Sequence, residues 1–98
     1  MTLEIKRNKN VTVIKVVGRL DSFTAPVLGK MIDQNSRAAD KIVLELGGVE
    51  SISETGLQAL LEARSKMQKS CTLSLVGVSE SVMETFRING CTEVLVIN

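Results

Sequence analysis

The sequence contains no histidine, no tryptophan and no tyrosine. Without histidine there is no Ser-His-Asp or Cys-His arrangement and no imidazole metal ligand. Its two aromatic residues, Phe23 and Phe86, lie far apart in the chain, so neighbouring aromatics cannot form a base-stacking platform. The cysteines, Cys71 and Cys91, form no Cys-x-x-Cys pair and fall short of the four ligands of a structural zinc site. They read as small apolar residues near strands, with a disulfide or redox role as the alternative. An excess of one charge is missing too. The 12 Lys and Arg nearly balance the 11 Asp and Glu, for a net charge of +1. That balance gives no electrostatic argument for nucleic acid or an anionic membrane. No apolar run has the length of a membrane span, and the start, MTLEIKRNKN, lacks the apolar centre of a secretory signal. No GxGxxG or GxxxxGK[ST] loop is present, so no cofactor is expected. The expectation is a cytoplasmic protein, and not an enzyme, because scattered Asp and Glu alone do not make an acid–base pair in a cleft.

What is present suits one globular domain. The chain has 98 residues, 44% of them apolar and 23% charged, enough for a single core without staples. Leu3 and Ile5, then Val11 to Val17, predict two strands joined by a polar turn at Arg7-Asn8-Lys9-Asn10. The second run is almost continuously apolar, which predicts burial on both faces, and Gly18 is expected to end it. Thr24-Ala25-Pro26 reads as a helix start capped by Thr24, and Leu28, Met31 and Ile32 continue at helical spacing. KIVLEL at 41–46 is a third strand, with a break expected at Gly47-Gly48. Leu57, Leu60, Leu61, Arg64 and Met67 form a helical stripe. Leu73 to Val78 is a fourth strand, and Ser79 caps a short helix carrying Val82, Met83 and Phe86. Asn89-Gly90 stops that helix, and Val94 to Ile97 is a fifth strand. The order β-β-α-β-α-β-α-β predicts an α/β fold. About five strands form a mixed sheet, the first antiparallel to the second and the rest parallel, with helices packed against it. Met31, Met67 and Met83 fall on the apolar helix faces and read as core, with a methionine-rich groove as the alternative.

The turn Ser53-Glu54-Thr55-Gly56-Leu57 carries the most chemistry. With Thr55 as helix N-cap, Gln58 takes the third position, and the two form a Thr-x-x-Gln capping box. Ser53 is the alternative cap, with Gly56 unable to reciprocate. Gly56 leaves the backbone open to a close partner. Thr55 is then either a cap alone or a phosphoacceptor. A phosphate there meets free N–H groups at the positive end of a helix, so it changes a docking surface at little cost to the fold.

Three segments, GRLDSFTAP at 18–26, IVLELGGVESISETGL at 42–57 and LVGVSESVMETF at 75–86, give the chain a wider likeness. Together they resemble the STAS domain of the bacterial anti-sigma factor antagonists, over essentially the whole chain. The resemblance implies a STAS-like fold in the element order above and a partner-switching role in transcription. The implied partner is an anti-sigma factor that is also a serine/threonine kinase. Binding it releases a sigma factor, phosphorylation ends the complex, and a phosphatase resets the switch. The family's acceptor motif, Asp-Ser-Ser/Thr-Gly-Leu, places the acceptor at Thr55, followed by Gly56 and Leu57. Ser53 stands at its aspartate position and Glu54 at its first serine position. The resemblance also implies a partner surface of Asp21, Ser22, Ser53, Glu54, Gly56 and Leu57. Asp21 has a second reading, as a residue that orders its own loop.

Two other functions follow from the same residues. Because Ser53 and Glu54 depart from the motif, one is a non-phosphorylated STAS adaptor or scaffold in a signalling or transport assembly. The other, a small enzyme, needs Asp21 and Glu54 to converge on a pocket. Oligomeric state is open, since an exposed first strand can pair with another chain.

Overall fold

The computed structural model describes residues 1–90 and the strand 96–97. Its elements are β1 (Thr2–Asn8), β2 (Val11–Leu20), α1 (Ala25–Ser36), β3 (Lys41–Ile52), α2 (Glu54–Lys66), β4 (Thr72–Val76), α3 (Glu80–Ile88) and β5 (Val96–Ile97). The order is the one read from the sequence. Cys91 and the expected strand residues Val94 and Leu95 lie outside the described residues.

The five strands form one sheet in the order β1-β2-β3-β4-β5. β1 runs antiparallel to β2, and the other pairings are parallel. Sequential strands joined by right-handed crossovers put all three helices on one face of the sheet. This corrects one expectation, that β2 is buried on both faces. Along β2, Thr12, Ile14 and Val16 are buried beneath the helices, whereas Lys15 and Val17 are exposed. Val11, Val13 and Val17, at the alternate positions, lie on the more open sheet face, so an apolar run here does not mean double burial.

The glycines of β2 and β3 also behave differently from expectation. Gly18, at φ +115, does not end β2, which continues to Leu20 with a register shift beside it. Gly47-Gly48 does not break β3, which runs on to Ile52. A Cβ on Gly48 would lie 2.8 Å from the Val17 side chain, so glycine lets the two strands stay paired through an irregular register.

Ile14, Val16, Ile42, Leu44, Leu46 and Leu75 form the sheet side of the core. Leu28 and Ile32 from α1, Leu57 and Leu60 from α2, and Val82 and Phe86 from α3 close over it. Met31, Met67 and Met83 are half-buried against this cluster, as a core role requires. On α2 the buried line continues through Ala63, whereas Arg64, counted in the apolar stripe, is exposed. Burial pushes the Cys71 thiol above its ordinary range, and the charge of Asp40 adds to the effect. A thiol held neutral behaves as the small apolar residue that the sequence implied.

The β1–β2 turn is tighter than the expected four residues. Arg7 and Asn8 pair with Thr12 and Val11, leaving Lys9 and Asn10, with Lys9 at φ 55. Arg7 is thereby free to reach across to α1. Its Nε and one terminal nitrogen donate to Asn35 Oδ1 at 3.1 and 2.9 Å. Asn35 in turn donates to the Met31 carbonyl at 2.8 Å, which satisfies its buried amide.

Candidate functional site

The candidate site forms where β2 and β3 end side by side. Leu20 pairs with Ile52, and the Ser53 N–H donates to the Leu20 carbonyl at 2.9 Å. Because β3 stays extended through Ile52, Ser53 is the first residue able to turn the chain, and α2 begins at Glu54. Ser53 is therefore the N-cap. Its backbone is extended, and its Oγ accepts from the Gly56 N–H at 3.0 Å. This corrects the expected capping box of Thr55 and Gln58. One serine–amide bond is sufficient for the cap, and reciprocation by the third residue is not needed.

The shift of the cap moves Thr55 into the helix. It is the second residue of α2, it is exposed, and its Oγ1 lies 3.0 Å from Ser53 Oγ. Glu54, also exposed, occupies the first turn, where the helix dipole favours a carboxylate. Gly56 and Leu57, both expected at the partner surface, are buried. Leu57 is a core side chain with 1% exposure. Gly56 is pressed under the β2–α1 loop, where a Cβ would lie 2.6 Å from the Leu20 carbonyl oxygen and 3.2 Å from the Asp21 nitrogen. Leu57 thus presents no side chain at the surface, and Gly56 has none to present. Their contribution is to hold the start of α2 against residues 20–21.

The β2–α1 loop is tied to itself. Asp21 Oδ1 accepts from the Phe23 N–H at 2.9 Å and the Thr24 N–H at 3.0 Å. Thr24 Oγ1 accepts from the Asp21 N–H at 3.0 Å and donates to the Arg19 carbonyl at 2.7 Å. These N–H groups, that of Thr24 foremost, hold the Asp21 carboxyl below its ordinary range. The Thr24 hydroxyl and the Arg19 charge act in the same direction. Asp21 thus orders its own loop, as one of its two readings required, while staying partly exposed. Thr24 stands at the N-cap position of α1 without making a side-chain cap bond, contrary to expectation, because the loop already engages its hydroxyl. Ser22 is exposed beside it, and Phe23 is 87% exposed. Phe23 was not among the residues expected here. The available signal was an aromatic set between turn residues, with no periodic element to bury it.

Ser22, Asp21, Ser53, Glu54 and Thr55 therefore belong to one edge of the molecule, at the carboxyl ends of β2 and β3. Asp21 and Glu54 do not line the groove between α1 and α2, whose walls include Gly29, Lys30, Asp33, Ala59, Glu62 and Lys66. Among the described residues no three His, Cys, Asp or Glu side chains are placed to hold a metal ion. None of the described helices is long and apolar enough to cross a membrane.

The family model described as STAS domain matches residues 2–98. Among solved structures, an anti-sigma factor antagonist from Mycobacterium paratuberculosis is similar at a TM-score of 0.85 and 23% identity, over 98% of this chain and 83% of that one. The Bacillus cell fate determinant SpoIIAA in its phosphorylated form is similar at a TM-score of 0.72 and 14% identity, over 99% of this chain and 91% of that one. A sulfate transporter family protein from Wolinella succinogenes is similar at a TM-score of 0.78 and 25% identity, over 90% of this chain and 76% of that one. No curated protein sequence matches the chain. For the first two, identities this low establish a shared fold.

Proposed function

The chain belongs to the STAS domain family, and on that premise we propose that it is a cytoplasmic anti-sigma factor antagonist controlled at Thr55. In its unmodified form it binds an anti-sigma factor that is also a serine/threonine kinase, and so frees a sigma factor. The kinase then moves the γ-phosphoryl group of ATP to Thr55 Oγ1. The Oγ1–P bond forms as the bond from the γ-phosphorus to the β,γ-bridging oxygen breaks. ADP leaves with that oxygen, the hydroxyl proton passes to a base of the kinase or to water, and the complex ends. A phosphatase restores the hydroxyl. The chain itself contacts no nucleic acid and performs no catalysis.

One observation carries this reading. Thr55 presents an exposed hydroxyl on the first turn of α2 while Ser53, not Thr55, caps the helix. Phosphorylation therefore leaves the cap bond to Gly56 in place. The added charge of about −1.5 to −2 falls at the helix end that tolerates anions best. A partner covering Asp21, Ser22, Ser53 and Glu54 would have to accommodate a bulky dianion within its interface. The domain is barely altered, and the surface is changed.

The test is incubation with the purified cognate kinase and ATP, followed by phosphosite mapping and binding titration. Label on Thr55, lost in Thr55→Ala, with weaker kinase binding by Thr55→Glu, is the expected result. Label on Ser53 would overturn the acceptor assignment. Ser53 and Glu54 at the motif's aspartate and serine positions favour a second reading, a non-phosphorylated adaptor or scaffold. Intact partner binding with no phosphate on Thr55 in cells under any growth condition would select it.

A further inference from the structure

We propose that Phe23 is the apolar anchor of the partner interface, and that it fits a protein surface with an apolar pocket rimmed by basic side chains. This rests on the reading of the Thr55 edge as a partner surface and adds the residue that would supply most of its grip.

The two phenylalanines have opposite surroundings. Phe86 is fully buried in the core, whereas Phe23 is 87% exposed. Burying Phe23 in a partner would remove a large apolar surface from water, and aromatic residues are enriched among the few that dominate binding energy. Exposure alone would be ordinary for one apolar residue. What sets Phe23 apart is the rigidity of its support. Its own N–H is held by Asp21 Oδ1, and the bonds among Arg19, Asp21 and Thr24 fix the turn on both sides. An exposed aromatic on a fixed turn loses little freedom on binding, which is the condition for an efficient anchor.

The turn is also continuous with the Thr55 edge. Gly56 permits α2 to pack directly against Leu20 and Asp21, and Ser53 bonds to Leu20. Phe23 and Thr55 thus stand on two segments locked to one another. The charges there specify the partner's chemistry. Asp21 is held in its ionised form by the loop, and Glu54 is exposed on α2. Arg19, the cation near the end of β2, reaches Glu50 at 3.9 Å. The carboxylates of Asp21 and Glu54 are then complemented by Lys or Arg around the pocket that receives the ring.

The proposal is tested with the full chain in two ways. In titrations against the purified kinase that phosphorylates Thr55, Phe23→Ser should weaken binding by about 10- to 100-fold, the range expected for loss of a central anchor. Phe23→Trp should retain most of the affinity, and both variants should keep the wild-type melting temperature. A change under about two-fold in Phe23→Ser, with wild-type binding intact, would overturn the anchor and leave the kinase reading standing. In cells, a photo-crosslinking phenylalanine analogue placed at position 23 should join to that kinase at a site flanked by Lys or Arg. Crosslinking at such a basic-rimmed pocket of an identified protein that is not a kinase would support the anchor and overturn the kinase reading. Crosslinking only to a second copy of this chain, or to nothing, would overturn the anchor.

Discussion

The hydroxyl oxygens of Ser53 and Thr55 lie 3.0 Å apart, one on the N-cap of α2 and the other on its second residue. The two side chains therefore divide what a single cap residue would combine. Ser53 satisfies the Gly56 N–H, and Thr55 remains at the surface. Ser53→Ala should cost about 1 kcal/mol of stability, the usual value of a lost cap. Ser53→Asp should keep that stability, because a carboxylate caps as well as a hydroxyl. Thr55→Ala should cost less than Ser53→Ala. Urea denaturation of the three variants decides the order, which would reverse if Thr55 were the cap.

Two glycines should respond to alanine in opposite directions. At Gly56 the new Cβ would lie 2.6 Å from a backbone oxygen and 2.9 Å from a backbone carbon, and neither can step aside as a side-chain tip could. Gly56→Ala should destabilise by about 1–3 kcal/mol, as overpacking does, and lift α2 from the β2–α1 loop. At Gly29, inside α1, the new Cβ would meet only the Ala63 Cβ at 3.7 Å, an ordinary contact. Gly29→Ala should stabilise by up to about 1 kcal/mol, through helix propensity. Denaturation midpoints measured side by side supply the comparison.

The same residues mark how far the sequence could be read. Element order followed from periodicity, because Leu28 and Ile32, or Leu73 and Leu75, face one core at regular spacing. The ends of elements were harder. Gly18, Gly47 and Gly48 break strands by local propensity, yet here β2 and β3 stay paired past them in an irregular register, with Gly48 making room for Val17, which is a long-range fact. Continuation of β3 to Ile52 then moved the helix start, and with it the cap, from Thr55 to Ser53. Thr55 was legible as a candidate hydroxyl, but its release from capping depended on that strand. Phe23 had one sign in the sequence, an aromatic set between turn residues, but the bonds that fix its turn come from Asp21 and Thr24 acting together and belong to the fold.

The acid limb of the stability curve should carry a contribution from Asp21. Its folded-state pKa lies below the ordinary value of 3.8, chiefly through the Thr24 and Phe23 N–H groups. A carboxyl depressed in the folded state stabilises the fold fully above its unfolded value and loses that contribution as pH falls through the folded one. Wild type and Asp21→Asn should therefore differ by a constant amount near neutrality and converge below pH 3.8. Chemical denaturation at a series of pH values measures the difference. A gap that stays constant into strong acid would mean that the loop bonds do not depend on the charge of Asp21.

Phosphorylation should stop at one group per chain, although the fold offers a second helix start of the same make. Ser79-Glu80-Ser81 opens α3 as Ser53-Glu54-Thr55 opens α2. Ser79 Oγ accepts from the Val82 N–H at 3.3 Å, and Ser81 Oγ lies 3.3 Å from Ser79 Oγ. A kinase that read only a capped helix start would label both Thr55 and Ser81. Their surroundings differ in two respects. The Ser81 hydroxyl also lies 3.5 Å from the Glu50 carbonyl of β3, a neighbour of a kind that the Thr55 hydroxyl lacks among the described residues. The third residue of α3 is Val82, a buried core side chain, whereas the third residue of α2 is Gly56, which brings Thr55 beside the Asp21 loop. A kinase docked on that loop, as proposed, would reach Thr55 without being oriented toward Ser81. Intact-mass measurement after exhaustive reaction should show one added phosphoryl group. Ser81→Ala should leave uptake unchanged, and Thr55→Ala should abolish it. Two added groups in the wild type would mean that the helix start alone, and not the neighbouring loop, guides the kinase.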